Sequence, residues 1–213
     1  MNRFKLGVVT GLRAEAVWIK QAGFMVEAGG GMPAGAKLAA LRLISQGAEA
    51  LLSFGLAGGL EPGLRPGTIL VPPVIITATG NYECAPQLMS FLGGETQGRL
   101  LAGANIAATV QEKSALYQHY GAVAIDLESG AVAEIAAQHA LPFAVLRATA
   151  DPAERALPPA ALVALKDDGS LDIVRLLGSI LRQPGQIRAL IKVGQDAKAA
   201  RRCLLERLKA IEV

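Results

Sequence analysis

The stretch AIDLESGAVAEIAAQHALPFAVLRATADPAERALPPA, Ala124 to Ala160, constrains the fold more than any other part of the chain. Ala122–Ile125 reads as a buried strand, Ser129–His139 as a helix and Phe143–Ala148 as a second buried strand. Continuous apolar runs on either side of a helix predict a βαβ unit and a parallel sheet. Ligands of open α/β sheets bind outside the carboxyl ends of the strands. Glu128 and Asp151 both fall just past such ends. Singly, each has an ordinary structural explanation: Glu128 stands near a helix N-terminus, and Asp151 caps a turn before Pro152. Together they mark a candidate site.

The rest of the chain fits the same architecture. Phe4–Thr10 reads as a first strand, Gly11-Leu12-Arg13 as its turn and Ala14–Gln21 as the first helix. Gly29–Pro33 reads as a loop and Ala34–Gln46 as a helix. Ala50–Phe54 reads as a buried strand entering a glycine turn, Gly55–Gly59, where glycine permits positive φ and close backbone approach. Thr68–Val71, Val74–Thr77 and Ile106–Val110 read as strands, Glu112–Tyr120 as a helix, and Asn81–Gly103 carries no clear pattern. Helices are expected over Leu171–Leu181 and Gln186–Ile211, parted by Pro184-Gly185. With no linker in view, residues 1–213 are expected to form one domain.

Composition narrows the class. Hydrophobic residues make up 52% and aromatics only 4%, so the core must be built from Ala, Leu, Val and Ile. No apolar run approaches the ~18 residues of a spanning helix, and the N-terminal run is too short for a signal peptide. Cys84 and Cys203 are too few for a disulfide framework or a zinc site, which fits a reduced, cytoplasmic setting. A net charge of +3 without accompanying aromatics argues against nucleic acid. The segment Gly55-Leu56-Ala57-Gly58-Gly59-Leu60 lacks the glycine spacing of a dinucleotide site and opens no helix.

Three segments carry a family resemblance. Asp126-Leu127-Glu128 resembles the acidic-Met-Glu signature of the purine nucleoside phosphorylase and nucleosidase superfamily, with Leu in place of Met. Arg147-Ala148-Thr149-Ala150-Asp151 resembles its Arg-x-x-Ser/Ala-Asp signature. Ser53–Leu60 followed by Pro66-Gly67-Thr68-Ile69 resembles its Gly-x-Ala-Gly-Gly-Leu…Gly-Asp-Ile/Val segment. With the N-terminal strand and turn, the likeness runs from about Lys5 to Pro159. It implies a nucleoside phosphorylase-like α/β fold, a three-layer sandwich with a central mixed, mostly parallel sheet flanked by helices. It also implies an enzyme that cleaves an N-glycosidic bond without metal or organic cofactor.

Such cleavage needs the leaving purine protonated and the oxocarbenium-like sugar supported. By resemblance, Asp151 is the acid at purine N7 and Glu128 holds the ribose hydroxyls. Glu15 matches the glutamate that orients the attacking water, although Arg13 and Ala14 replace the two glutamates before it. A first-turn acid favoured by the helix dipole explains Glu15 equally well. The resemblance extends substrate contact to Leu127, Ala57, Gly58, Val110 and Arg13. In the phosphorylases of the family an Arg and a Ser of the glycine segment bind phosphate; here Ser53 and Leu56 stand in those places. That favours water as nucleophile. Arg13 resembles the arginine of the phosphorylases' Gly-Asp-Pro-x-Arg turn and keeps phosphate open as a co-substrate.

The segment Ala150–Ala160, with Arg182–Gln186 and Ala189–Gly194, is similar to the bacterial hopanoid-associated phosphorylases. That likeness implies adenosylhopane as substrate and ribosylhopane plus adenine as products. Methylthioadenosine or adenosylhomocysteine cleavage is the alternative, and a non-catalytic nucleoside-binding protein the alternative of another class. A homodimer or higher homo-oligomer is expected. In the C-terminal helix, Ile187, Leu190, Ile191, Ala197, Leu204, Leu208 and Ile211 recur at helical spacing with basic residues largely off that stripe. This is either a cover helix or one that also contacts an anionic membrane surface.

Overall fold

The computed structural model describes residues 5–163 and 173–211. Its strands are β1 (Leu6–Thr10), β2 (Met25–Ala28), β3 (Ala50–Gly59), β4 (Ile69–Leu70), β5 (Val74–Thr77), β6 (Gly80–Glu83), β7 (Arg99–Ala102), β8 (Ala122–Asp126) and β9 (Phe143–Asp151). The helices are α1 (Arg13–Gln21), α2 (Pro33–Ser45), α3 (Pro86–Phe91), α4 (Val110–Tyr120), α5 (Ser129–Gln138), α6 (Pro159–Val163), α7 (Ile173–Arg182) and α8 (Ile187–Ile211), the last entered through a 3₁₀ turn at Pro184–Gln186. The sheet has the order β2-β1-β3-β8-β7-β5-β6, with β9 beside β3 and β4 beside β9. Parallel pairings predominate, and the antiparallel ones join β3 to β8, β4 to β9 and β5 to β6. This mixed, curled sheet flanked by helices is the fold class expected from the sequence.

The strands that build the centre are apolar throughout rather than alternating, because both faces are covered. β1 is buried along its whole length, as are residues 50–55 of β3 and residues 143–149 of β9. Leu51, Leu52, Phe54, Val145 and Leu146 all belong to the main core. Burial of each such side chain contributes about 1.5–3 kcal/mol relative to exposure. The scarcity of aromatics is met by alanine. α2 buries Ala36, Ala39 and Ala40, α5 buries Ala131, Ala133 and Ala136, and the two helices meet closely enough for Lys37 to pair with Glu134 at 2.8 Å. On the other side α8 packs on the sheet and reaches α1, where the Arg201 guanidinium lies 4.8 Å from the Trp18 ring centre.

Several expected elements are corrected. Gly55–Gly59 is not a turn but the second half of β3, which runs on to Gly59 paired with β9 and β8. Long strands tolerate glycine where another group must come close, and Gly55 has such a neighbour: a Cβ there would sit 2.6 Å from Arg147 Nη1. β8 and β9 flank one helix as predicted but do not pair with each other, because β3 lies between them. Gly58 pairs with Ile125 on one side and Asp151 on the other, so β3 joins the two carboxyl ends. Ile106–Val110 is not a strand. Thr109 accepts from the Glu112 amide at 3.1 Å while Glu112 accepts from the Thr109 amide at 2.9 Å, a capping box that starts α4 at Val110. The unreadable stretch Asn81–Gly103 holds most of β6, α3 and β7, each six residues or fewer. Leu171, the expected start of the next helix, lies outside the described residues, and the helix is described over Ile173–Arg182.

Candidate active site

β1, β3, β8 and β9 end around a cavity of about 360 Å³. Its wall includes Gly11 and Glu15 after β1, Leu56–Gly58 from β3, Asp126–Glu128 after β8, and Arg147, Ala150 and Asp151 from β9. An apolar side is completed by Ile106, Ala107, Leu157, Ala161, Val193 and Ala197. The geometry gathers six of the residues singled out in the sequence: Asp151, Glu15, Glu128, Leu127, Ala57 and Gly58. Val110 and Arg13 are not among the lining residues; they open α4 and α1.

Arg147 organises the deep end. It projects from the middle of β9, only 1% exposed. Its Nη2 donates to Glu128 Oε2 at 2.8 Å and to Ser53 Oγ at 2.8 Å, and lies 2.7 Å from Asp126 Oδ2. Ser129 donates to Asp126 through both hydroxyl and amide and stands 3.0 Å from Ser53. A buried charge is tolerated only when paired and hydrogen-bonded; this network meets that condition at Nη2, while Nε is buried without a partner. Burial opposes the charge on Arg147, but Asp126 and Glu128 outweigh it and hold the guanidinium protonated more firmly than usual.

Burial also raises the Glu128 pKa, against the pull of Arg147 and with the help of Asp126. Oε2 of Glu128 is held by Arg147, while Oε1 packs against Gly11, where any side chain would collide with it. Glu15 is an acid in the first turn of α1 and also lines the cavity. It accepts from the Leu12 amide through Oε2 at 3.3 Å. Its other oxygen, Oε1, is buried without a hydrogen-bond partner. Burial pushes the Glu15 pKa up from 4.5 to about 7, despite the pull of Arg147 and with added repulsion from Glu128. A buried acceptor left unsatisfied in a cavity wall is placed to meet a ligand or water.

Asp151 is not past the strand end but the last residue of β9, and it lines the same cavity. Its Oδ1 lies over Gly58, and its Oδ2 is ion-paired with Lys113 of α4. Burial raises the Asp151 pKa, and Lys113 opposes that rise. A carboxyl that can hold a proton, in one cavity with a carboxyl poised near neutrality, is an acid–base arrangement.

The sequence reading gave no role to Arg147, Asp126, Ser53, Ser129 or Lys113. An arginine inside the apolar run of β9 was a signal for the first, since a strand buried on both faces must pair any charge it carries. Asp126 and Ser129 then follow as candidate partners. Nothing in the sequence marks Lys113, which lies on a helix of mixed polarity where a lysine ordinarily faces water.

Comparison with known proteins adds family and fold. Residues 9–88 and 95–173 match the model of the phosphorylase superfamily. No curated protein matches the sequence significantly. Among solved structures, the chain is similar to a Helicobacter pylori 5'-methylthioadenosine/S-adenosylhomocysteine nucleosidase (TM-score 0.73, 14% identity, covering 97% of this chain and 96% of that one). It is also similar to a Helicobacter pylori futalosine hydrolase mutant (0.68, 14%, 96% and 98%). A third is a Streptococcus pyogenes S-adenosylhomocysteine nucleosidase in complex with 5-methylthiotubericidin (0.65, 16%, 92% and 98%).

Proposed function

Because the chain belongs to the phosphorylase superfamily, we propose that it cleaves the N-glycosidic bond of an adenine nucleoside, with water as nucleophile. One observation carries the reading: Glu15, Glu128 and Asp151 line a single cavity, with Arg147 buried among them. In this reaction the C1'–N9 bond breaks with its electron pair moving into the purine. Asp151 supplies a proton to N7, so the base leaves neutral. Glu128 Oε1 accepts from the ribose hydroxyls and aligns the sugar as positive charge develops at C1'. Water adds to C1' and its proton passes to Glu15, whose pKa of about 7 suits a base working at neutral pH.

Charge supports water over phosphate. Asp126, Glu128 and Glu15 surround one buried cation, Arg147, which is already bonded to Glu128, Ser53 and Asp126. A phosphate dianion there would add negative charge to a site with an excess of carboxylates. Ser53, in the position of a phosphate-binding arginine, bonds Arg147 instead, and Leu56 offers no side-chain donor.

The 5' substituent is proposed to be a large apolar group, as in adenosylhopane. The apolar wall from Ile106 to Ala197 supports this, as do Leu181, Ile187 and Ile191, which are 83%, 43% and 56% exposed on α7 and α8. The alternative is methylthioadenosine or adenosylhomocysteine, whose nucleosidases share the fold. We expect a cytoplasmic homodimer or higher homo-oligomer, which sedimentation velocity would measure. The deciding experiment incubates pure protein with adenosylhopane, methylthioadenosine and adenosylhomocysteine, with and without phosphate, and identifies both products. Adenine plus a free sugar is expected, at a rate independent of phosphate. A sugar 1-phosphate would replace water by phosphate, and no adenine from any of them would overturn the reading.

A further inference from the structure

Lys113 is 1% exposed and lies outside every motif that carries the family resemblance. Its Nζ donates to Asp151 Oδ2, to the Pro152 carbonyl at 2.9 Å and to the Arg155 carbonyl at 2.8 Å. An ammonium has three protons, and these three acceptors use all of them. Lys113 therefore has no donor left for a ligand. What it does is hold: it ties one oxygen of Asp151 and the turn that follows β9 to the start of α4, leaving Oδ1 over Gly58 in the cavity wall.

Resting on the assignment of Asp151 as the acid, we propose that Lys113 is a positioning residue for proton delivery to the purine. Its ammonium selects Oδ1 as the oxygen presented to the base and sets the pH at which Asp151 gives up its proton. The acid works as a proton donor, so two opposed effects share the site. Burial favours the neutral carboxyl, and Lys113 favours the carboxylate. The other charges acting on Asp151 are Arg155, from the same turn, and Asp196, from α8, which themselves form an ion pair. Arg155 works in the same direction as Lys113, and Asp196 works against it. Lys113 alone among them bonds the Asp151 carboxylate directly. This arrangement keeps Asp151 from being a permanently protonated buried acid: it can give its proton to the leaving base and be stabilised as the carboxylate afterwards.

The test compares wild type with Lys113→Met, Lys113→Arg, Asp151→Asn and the Lys113→Met/Asp151→Asn double variant. Asp151 is followed in the ligand-free protein by ¹³C carboxyl NMR, its signal assigned by its absence from Asp151→Asn. In Lys113→Met the Asp151 midpoint should move up by at least about one pH unit, because an opposite charge has been removed, and in Lys113→Arg it should stay near wild type. On the nucleoside found to be cleaved, Lys113→Met should lower kcat about tenfold or more and carry the alkaline limb of the pH profile upward. Asp151→Asn should lose about 100-fold, and the double variant should lose no more than Asp151→Asn does. If Lys113→Met does not fold, Lys113→Gln, which can still donate to the two carbonyls, takes its place with the same expectations. An unchanged Asp151 midpoint would overturn the proposal. So would a kcat loss that adds in full to that of Asp151→Asn, because it would make Lys113 a structural tie alone. A protein that cleaves no nucleoside would remove the N-ribosyl reading, while the Asp151 titration would still decide whether Lys113 governs that carboxyl.

Discussion

Glu15 titrates near 7 in the folded chain, against an ordinary value of 4.5. The folded state therefore binds more protons than the unfolded state between those values. Stability contributed by this group is fully present below pH 4.5 and is lost as pH rises through 7. The difference amounts to roughly 3 kcal/mol. Glu15→Gln removes the titration while keeping the shape. We expect the variant to melt at the same temperature as wild type near pH 4 and clearly above it at pH 8, with turnover lost at both. Thermal melts of the two proteins across this range are the measurement; a gap that does not grow with pH would contradict a buried, poised carboxyl. Half of this behaviour is legible in the sequence, because an acid in a first helical turn is readable. The other half is not: the burial and the approach of Arg147 come from a strand more than a hundred residues away.

Among the elements, β3 and α8 depart most from their sequence patterns. The glycines of β3 read as a turn because glycine is rare inside strands. In the fold they let Arg147, Asp151 and the end of β8 come against the β3 backbone. The single apolar stripe read along α8 divides in the structure. Its buried face runs through Asp196, Ala200, Leu204 and Leu208, while Ile187 and Ile191 remain exposed. Asp196 was no part of that stripe; pairing with Arg155 and Lys192 lets it lie inside. Exposed Ile187 and Ile191 stand next to the turn that places Val193 and Ala197 in the cavity wall. If this end of α8 meets a membrane carrying the substrate, wild-type protein should sediment with anionic vesicles at low salt. An Ile187→Ser/Ile191→Ser variant should bind at least several-fold less. No wild-type sedimentation, or equal sedimentation of both, would leave the helix as packing.

Over the whole molecule, the site draws on the N-terminal strand, the long central strand, β8, β9 and the C-terminal helix. A ligand there ties together parts of the chain from both ends. Adenine at ~100-fold above its Kd should stabilise the fold by about 2.7 kcal/mol. For a chain of this size that raises Tm by roughly 5–10 °C. Asp151→Asn, which changes the base contact and removes the carboxylate paired with Lys113, should shrink this shift, as differential scanning calorimetry would show. No shift in wild type at saturating adenine would argue that the cavity does not take the base. Among the described residues no helix is long and apolar enough to cross a membrane.

What the sequence by itself determined is local. Apolar runs on both sides of α5, the helices α1, α2, α5 and α8, and the placing of Glu128 and Asp151 at or just past strand ends all follow from patterns within a few residues. Patterns of that length decide backbone conformation and the faces that must be buried. The tertiary structure alone decided which strand lies between β8 and β9, which charges surround Arg147, and that Lys113 turns inward to Asp151. These depend on contacts between residues from 19 to 94 positions apart, and such contacts exist only once the core has brought separate strands into one sheet. A charge in a buried strand announces that it needs partners; only the fold says which ones it finds.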